Sequence, residues 1–236
     1  MQAILFVLCA ETLPLAIDTV KVAEQTRAKL MGIHAVLAGS PRLVSPKFSG
    51  KDSNGRPLKG HRHVYILPFD ENGDGMLDHI VIACREAFDY LEQLALFRFQ
   101  SLWKPKGLHG VRCVPLTWGT TEELFPASIQ FASVTPFVPT HHWHRQRGDP
   151  ATWLAAEVVR ECENHFLPAP VKVRALDRLD TQRVNPIRWP EFQRSRKGDA
   201  DRTGYGFELQ FPRPVSVPVA LGYGSHFGLG QFRPVE

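Results

Sequence analysis

Two histidines, His61 and His63, stand one residue apart where an apolar strand pattern begins. Alternate side chains of a strand share a face, so both imidazoles are predicted to point one way and Arg62 the other. The loop before them is rich in glycine and lysine. Imidazoles titrate near neutral pH, and a pair of them beside cations can move protons and hold a phosphate. The spacing therefore indicates a proton-transfer site, although a solvated surface pair has the same pattern.

A further histidine, His34, ends the apolar stripe of the first predicted helix, over residues 13–35. The stripe has three- and four-residue spacing, and Pro14 lies in the first turn, where its missing N–H costs nothing. Gly32 weakens the helix just before His34. This position is typical of a satisfied boundary histidine, and a catalytic role is the alternative.

The turn after the histidines imitates the start of a calcium-binding loop, with Asp70, Asn72, Asp74 and Gly75 at ligand and turn positions. The last position of such a loop needs a bidentate glutamate, and here it is Val81. A cluster of Asn, Asp and Gly between two apolar runs is also the usual hairpin signal. A tight hairpin turn is therefore predicted instead of a calcium site.

The elements that must position these residues follow the order strand, helix, strand, strand, helix, strand. They are an apolar run at 3–10, the helix at 13–35, the hairpin at 61–84, a helix at 88–103 and a strand at 111–118. This is the split β-α-β-β-α-β order of a ferredoxin-like unit. The uninterrupted apolar run at 3–10 is typical of a central strand covered on both faces.

The second half of the chain repeats this scheme in a degraded form. Asp149 and Pro150 provide an N-cap and a first helical residue, but no second helix pattern appears between residues 177 and 201. Strands are predicted near 128–138, 171–176, 204–211, 215–221 and 227–232. The predicted fold class is α+β, with two tandem ferredoxin-like (RRM-like) units, the second one degraded, and a C-terminal glycine-rich loop. The predicted domains are residues 1–119 and 120–236.

Composition limits the class of protein. A chain of 236 residues with ordinary apolar and charged content fits one large or two small globular domains. A net charge of +4 and a pI near 9.0 permit a polyanionic partner. The four cysteines are scattered singly, without metal-ligand spacing. No secretory signal or membrane span is found, so a cytoplasmic protein without a membrane partner is expected.

Two basic segments and the glycine-rich loop suit a nucleic acid partner. Residues 141–147 and 183–198 carry arginines, lysine or histidines with tryptophan or phenylalanine between them. Such cations contact phosphates and such rings stack on bases, although a solvated loop is an equal alternative for the second segment. As a zinc site, residues 141–147 lack a convincing fourth ligand. The glycines of residues 222–230 let the backbone approach a ligand and present N–H groups to phosphates.

Several long motifs in order give the chain a family resemblance. They are FSGKDSNGRPLKGHRHVYILP, NGDGMLDH, SVTPFVPTHHWHRQRGDP and ALGYGSHFGLGQF. With two ferredoxin-like units that end in a GxGxxxGxG loop, the chain resembles the CRISPR repeat-processing endoribonucleases of the RAMP superfamily (the Cas six group). It is most similar to the Cas six portion of the fused Cas five/Cas six subunit of type I-G systems (formerly I-U). No Cas five-like half accompanies it in this sequence.

The resemblance implies a metal-independent endoribonuclease that cleaves precursor CRISPR RNA within the repeat and needs no cofactor. In that group an imidazole activates the attacking 2′-hydroxyl, which leaves a 2′,3′-cyclic phosphate and a 5′-hydroxyl. The implied partners are the hairpin of the CRISPR repeat RNA, which is expected to stay bound as guide RNA, and other subunits of a type I CRISPR effector complex.

The resemblance also implies roles for individual residues. His61 and His63 are the expected proton-transfer groups, with Lys51 as the phosphate-stabilising cation and His34 in reserve; which histidine is the base stays open. The residues expected to bind RNA are Arg62, His142, His144, Arg145, Arg147, Arg194, Arg196, Lys197, Gly222, Gly224, Ser225, His226, Gly228 and Gly230.

Two other functions fit part of the same pattern. A non-catalytic RNA-binding subunit that caps the 3′ hairpin of the guide would share the charge and the glycine loop. A metal-dependent nuclease would use His61 and His63 together with Asp78 or His79 as ligands. The absence of a clustered set of carboxylates in the sequence disfavours the metal-dependent nuclease.

Overall fold

The structure, a computed structural model, describes residues 1–102, 110–183, 185–196, 199–216 and 218–235. Its strands are β1 (Gln2–Cys9), β2 (Tyr65–Phe69), β3 (His79–Cys84), β4 (Arg112–Thr120), β5 (Ser128–Ser133), β6 (Lys172–Leu176), β7 (Arg178–Leu179), β8 (Ile187–Arg188), β9 (Gly206–Val215), β10 (Val219–Ala220) and β11 (Gln231–Pro234). Its helices are α1 (Thr19–Leu37), α2 (Pro46–Ser49), α3 (Tyr90–Phe97), α4 (Thr121–Leu124) and α5 (Pro150–Asn164).

The first half of the chain forms an antiparallel sheet with the order β2-β3-β1-β4. Ile4 and Phe6 of β1 pack on one face with α1 and α3, while Ala3 packs on the other face with Ala220 from the second half. Burial on both faces explains why β1 is an uninterrupted apolar run. The α+β class and the ferredoxin-like order predicted from the sequence are confirmed.

Tertiary hydrogen bonds make the first two long helices shorter than predicted. α1 begins at Thr19 because Leu15 bridges to Met76, and Leu77 N donates to Pro14 O at 2.7 Å, which ties this segment to the β2–β3 turn. α3 ends at Phe97, and the chain then runs beside the start of β4. Residues 103–109, the predicted end of that helix and its stop signal, lie outside the described part of the chain.

The second half forms an antiparallel sheet with the order β10-β11-β5-β9-β6, with α5 packed against it through Val158 and Cys162. Asp149 caps α5 by accepting a hydrogen bond from Thr152 N at 2.9 Å, as the sequence predicts. Within the described residues between β6 and β9, the structure has the β7–β8 pair and a 3₁₀ turn in place of a helix. The second unit is therefore degraded. The division of the chain near residue 120 stays a prediction.

Segments of the second half of the chain pack onto the first unit and hold the two units together. Trp189 and Phe192, which the sequence left between a groove contact and a solvated loop, are buried in the core of the first unit. Trp189 Nε1 donates to Leu176 O at 2.6 Å, and Gln193 N donates to Ile17 O at 3.1 Å. No helix in the described ranges is long and apolar enough to cross a membrane.

The loop between β10 and β11 also belongs to this packing. Gly228 lies so close to α1 that an added Cβ would come within 2.4 Å of Thr19 Cγ2. The amide of Gln231 donates to Pro68 O in β2 at 2.9 Å. The loop is therefore fixed against β2 and α1 of the first unit, beside the residues that precede β2.

Candidate active site

His61 and His63 lie just before β2 and outside the sheet, so the predicted alternation across a strand is wrong at this point. Gly60 and His61 have φ values of 70° and 54°, and this left-handed pair turns the chain away from the strand line. The two imidazoles still reach one cluster, because His226 lies between them. Arg62 points elsewhere and pairs with Glu86 at 2.7 Å.

His226 links the two predicted histidines, and its contacts define the proton positions. Its Nδ1 lies 3.1 Å from Val64 O, which can only accept, so Nδ1 carries the proton and Nε2 carries the lone pair. His61 Nδ1 lies 3.0 Å from that Nε2 and must therefore donate to it. The chain of hydrogen bonds leaves His61 Nε2 as an unprotonated nitrogen, which is the form that a general base needs.

His165, at the C-terminal end of α5, is a fourth imidazole of the cluster. Its ring centroid is 3.9 Å from that of His61, and its Nδ1 is 3.1 Å from the Tyr65 hydroxyl. Arg85 contacts the same hydroxyl and donates to His165 O at 2.8 Å. Among the described residues, His165 Nε2 and His63 Nδ1 are buried without a hydrogen-bond partner. Glu161 Oε2 is 3.8 Å from that Nε2.

Neither His165 nor Tyr65 was predicted from the sequence. Tyr65 carried a usable signal, since it continues the alternation of His61 and His63. The ring of Tyr65 stacks on that of His226, with 4.0 Å between their centroids. His165 carried no such signal, because a single histidine at the end of an amphipathic helix is usually a cap. Only the packing of α5 against the first unit brings it to the cluster.

The cations beside the cluster are arginines, and only one of them was predicted. Arg27 and Arg196 stack over the ring of Phe227, with 5.4 and 4.0 Å from each guanidinium carbon to the ring centroid. Arg27 donates to Phe48 O and Ser49 O, and Arg196 pairs with Glu24 at 3.0 Å. Both guanidinium groups are therefore fixed in place. The predicted cation Lys51 is exposed on its loop.

Burial lowers the pKa of every imidazole in the cluster, and neighbouring cations add to the effect. The pKa of His63 is lowered to about 4 by burial and then by Arg27, and that of His165 to about 3 by burial and then by His61. The pKa of His226 lies well below its usual value, mainly through burial. Burial and Arg85 also lower the pKa of His61, against an opposing effect of Glu161. All four rings are therefore neutral at pH 7.

The glycines of the C-terminal loop serve the packing of the protein itself. Gly222, Gly224, Gly228 and Gly230 all have positive φ, and at Gly230 an added Cβ would lie 1.9 Å from Leu221 O. The loop N–H groups at residues 222, 223, 225, 227, 229 and 230 already donate to protein oxygens. Gly222 N, for example, donates to Glu161 Oε2 at 3.0 Å. The loop places His226, and whether it also contacts RNA stays a prediction.

The remaining predicted residues lie apart from the cluster. His34 is buried against Phe48, with 5.6 Å between the ring centroids. Arg194 pairs with Asp201 at 2.7 Å, and Lys197 lies outside the described residues. His142, His144 and Arg145 are exposed, and Arg147 lies 3.9 Å from the buried Glu157 on α5.

The acidic turn between β2 and β3 is held by hydrogen bonds from its own backbone to Asp70. Asp70 accepts from the N–H groups of Gly73, Asp74 and Gly75, at 2.6 to 3.2 Å. This is the predicted hairpin turn. His79 pairs with Phe69 at the far end of β2 from Tyr65, which is about 13 Å along a strand. It therefore lies too far from His61 to share a metal. In the described part of the chain, no three His, Cys, Asp or Glu side chains are arranged as metal ligands.

Two cavities lie near these elements, and they differ in chemistry. One of about 290 Å³ is lined by His61, His63, Arg196, His226 and the glycine loop. The other, about 910 Å³, lies between the two sheets and has mainly apolar walls. Among the described residues that line it, the one histidine is His79. The smaller cavity therefore holds the candidate active site.

Comparison with solved structures shows a likeness over the whole fold. A crystal structure of Cas6b is 11% identical with a TM-score of 0.50, covering 100% of both chains. A CRISPR-associated protein Cas6 is 10% identical with a TM-score of 0.46, covering 100% of this chain and 99% of the other. A Cas6 product complex is 13% identical with a TM-score of 0.40, covering 99% and 98%. No family model and no curated protein sequence match the chain. The likeness to Cas6b therefore concerns the double ferredoxin-like fold.

Proposed function

We propose that the chain is a metal-independent endoribonuclease that cleaves precursor CRISPR RNA within the repeat. The observation that supports this most is the hydrogen-bond chain from Val64 O through His226 to His61, which leaves His61 Nε2 as a base beside fixed arginines. The fold shared with Cas6b and the sequence motifs of the Cas six group, nearest to type I-G, point to the same activity. The cavity of about 290 Å³ beside His61 has room for a phosphate group.

In the proposed reaction, His61 Nε2 takes the proton of the 2′-hydroxyl as its oxygen attacks the adjacent phosphorus. The new O2′–P bond forms while the P–O5′ bond breaks, which gives a 2′,3′-cyclic phosphate and a 5′-hydroxyl. Arg27 and Arg196 stabilise the additional charge on the phosphorane, the role first expected of Lys51. Besides burial, Arg27, His61 and Arg196 each lie close enough to His63 to lower its pKa. The negative charge of the bound phosphate favours its imidazolium, which takes a proton from solvent and gives it to the 5′-oxygen as the P–O5′ bond breaks.

The remaining RNA contacts are proposed from the basic residues that the sequence motifs nominated. The arginines and histidines of residues 142–147, with Arg194 and Lys197, would hold the repeat hairpin through its phosphates and shape, since side chains cannot read the deep major groove of A-form RNA. Retention of the cleaved guide and assembly with other subunits of a type I effector complex belong to the same proposal.

Cleavage of a labelled repeat RNA in excess EDTA tests this function. We expect wild-type protein to cut at one position, to leave a 2′,3′-cyclic phosphate, and to fail on RNA with a 2′-deoxy nucleotide at that position. A product that ends in a 3′-hydroxyl, or cleavage that EDTA abolishes, would contradict the proposed mechanism.

The alternative is a non-catalytic subunit that caps the 3′ hairpin of the guide. The lowered pKa values of His63 and His165 favour this alternative, since both imidazoles are neutral in the free protein at pH 7. Tight binding of the repeat RNA without any cleavage would select this alternative.

The pH dependence of cleavage should report the base directly. A general base acts in its neutral form, so a lowered pKa of His61 keeps it active further into the acid range. On RNA with a bridging 5′-sulfur as the leaving atom, which needs no proton from His63, we expect kcat/KM, which reports the free enzyme, to stay level as pH falls to 6.5 and to decrease only below it. Arg85→Gln removes a charge that lowers this pKa, and should move the decrease to higher pH. A decrease centred above 6.5 in wild type would assign the profile to another group.

A further inference from the structure

Phe166 is an exposed aromatic residue in a backbone conformation that does not suit it. Its φ is 61°, and the only other non-glycine residue with positive φ in the described chain is His61. Phe166 is 76% exposed. A left-handed conformation crowds the Cβ of a bulky residue, and such residues gather at functional sites. Here both lie at the imidazole cluster, because Phe166 directly follows His165.

The helix end at Phe166 does not explain the choice of phenylalanine. Leu167 N donates to Cys162 O and Phe166 N to Glu163 O, both at 2.9 Å, which is the Schellman motif with Phe166 at the left-handed position. Glycine or asparagine normally fills that position. The apolar contact of the motif comes from Leu167, which packs against the hydrophobic core between α5 and the second sheet. The phenylalanine ring therefore contributes little to ending the helix.

Arg85 covers one face of the exposed ring and holds it beside the cluster. Its guanidinium carbon lies 4.4 Å from the ring centroid. The same guanidinium donates to His165 O at 2.8 Å and contacts the Tyr65 hydroxyl, so its position is fixed by the residues around His61. The pair presents a flat aromatic surface, backed by a cation, next to the proposed base.

We propose that Phe166, backed by Arg85, is a stacking platform for an unpaired nucleobase next to the scissile phosphate. The proposal rests on the proposed function, since the cluster defines where that phosphate lies. Stacking on an aromatic ring accepts any base, because every base has a π-face. The platform would fix the flanking nucleotide and so align the 2′-oxygen for attack, without reading sequence.

A set of ring variants and altered RNAs tests the platform. Phe166→Asn suits the left-handed backbone but has no ring, Phe166→Leu keeps apolar bulk, and Phe166→Tyr keeps the ring. Each is measured on repeat RNA with a 2′-deoxy nucleotide at the cleavage position, intact or abasic at either flanking position. We expect Phe166→Asn and Phe166→Leu to weaken binding of intact RNA by about 5- to 150-fold and Phe166→Tyr to bind like wild type.

The abasic RNAs separate stacking from a general loss of structure. At one flanking position, loss of the base should weaken RNA binding by wild type as much as Phe166→Asn weakens binding of intact RNA. Phe166→Asn should bind that abasic RNA and intact RNA with equal affinity. Its thermal stability should equal or exceed that of wild type, since asparagine relieves the backbone. Equal affinity of wild type and Phe166→Asn for intact RNA would overturn the platform and leave the ring as a protein contact. If the affinity losses from Phe166→Asn and from the abasic position add in full, the platform is overturned as well.

Failure of the platform and failure of the proposed function give different results. If wild type cleaves RNA but the abasic and ring substitutions act independently, the nuclease stands and the platform falls. If wild type binds but never cleaves, the nuclease falls, while the binding comparison still decides whether Phe166 stacks on a base.

Discussion

Replacing His61 with asparagine should slow single-turnover cleavage of repeat RNA by about 10²- to 10⁴-fold, the usual contribution of general acid–base catalysis. Asparagine accepts the left-handed φ of 54° at this position, and its amide can still donate to His226 Nε2. The substitution therefore removes the base nitrogen with little disturbance of the backbone or of its hydrogen-bond partner. Cleavage rates at saturating protein measure the effect.

Affinity and a matched histidine variant control this experiment. His61→Asn should bind RNA with a 2′-deoxy nucleotide at the cleavage position nearly as tightly as wild type does. His79→Asn alters a partly buried histidine on β3, opposite the far end of β2, and should cleave at the wild-type rate. If His61→Asn stays within tenfold of wild type, another residue is the base, and His63→Asn and His34→Asn become the decisive variants.

The same cluster should make the protein lose stability in mild acid. For His63 and His165 the folded-state pKa values of about 4 and 3 lie below the unfolded value near 6.5. Between these values the unfolded chain binds protons that the folded chain does not, so stability is full above pH 6.5 and falls as pH decreases. Each residue contributes up to about 1.4 kcal/mol per pH unit.

Denaturant unfolding between pH 7.5 and 5.0 measures this loss. From pH 6.5 to 5.0 the two residues together lower the free energy of unfolding by at most about 4 kcal/mol, which is a large part of the stability of an ordinary domain. His165→Gln should reduce the slope by up to about 1.4 kcal/mol per pH unit. His142→Gln removes an exposed imidazole, surrounded by water in both states, and should leave the slope unchanged. Equal slopes for all three proteins would contradict burial of a neutral His165.

Local sequence patterns predicted those features that depend on near neighbours. The apolar run at the N-terminus predicted a strand covered on both faces, and Asp149 with Pro150 predicted the start of α5. The Asp70 turn was also correct, because its side chain bonds to N–H groups a few residues away. In each case the interactions that decide the structure lie within a few residues or follow one period.

Predictions failed where a distant contact overrode the local pattern. The start of α1 moved to Thr19 because Leu15 pairs with Met76 across the β2–β3 turn. His61 left the strand line because Gly60 and His61 take left-handed conformations. Lys51, the expected phosphate-stabilising cation, is exposed on its loop, while α1 places Arg27 near His63.

The sequence by itself determined the fold class and the presence of a glycine-rich loop that carries His226. It also predicted His61 and His63 as site residues. Only the tertiary structure decided that His226 bonds to His61, that α5 brings His165 within 3.9 Å of it, and that Arg27 and Arg85 are nearby cations. The physical reason is separation along the chain. His61 and His226 are 165 residues apart, and no periodicity connects residues so distant; only the packing of the two units against each other does.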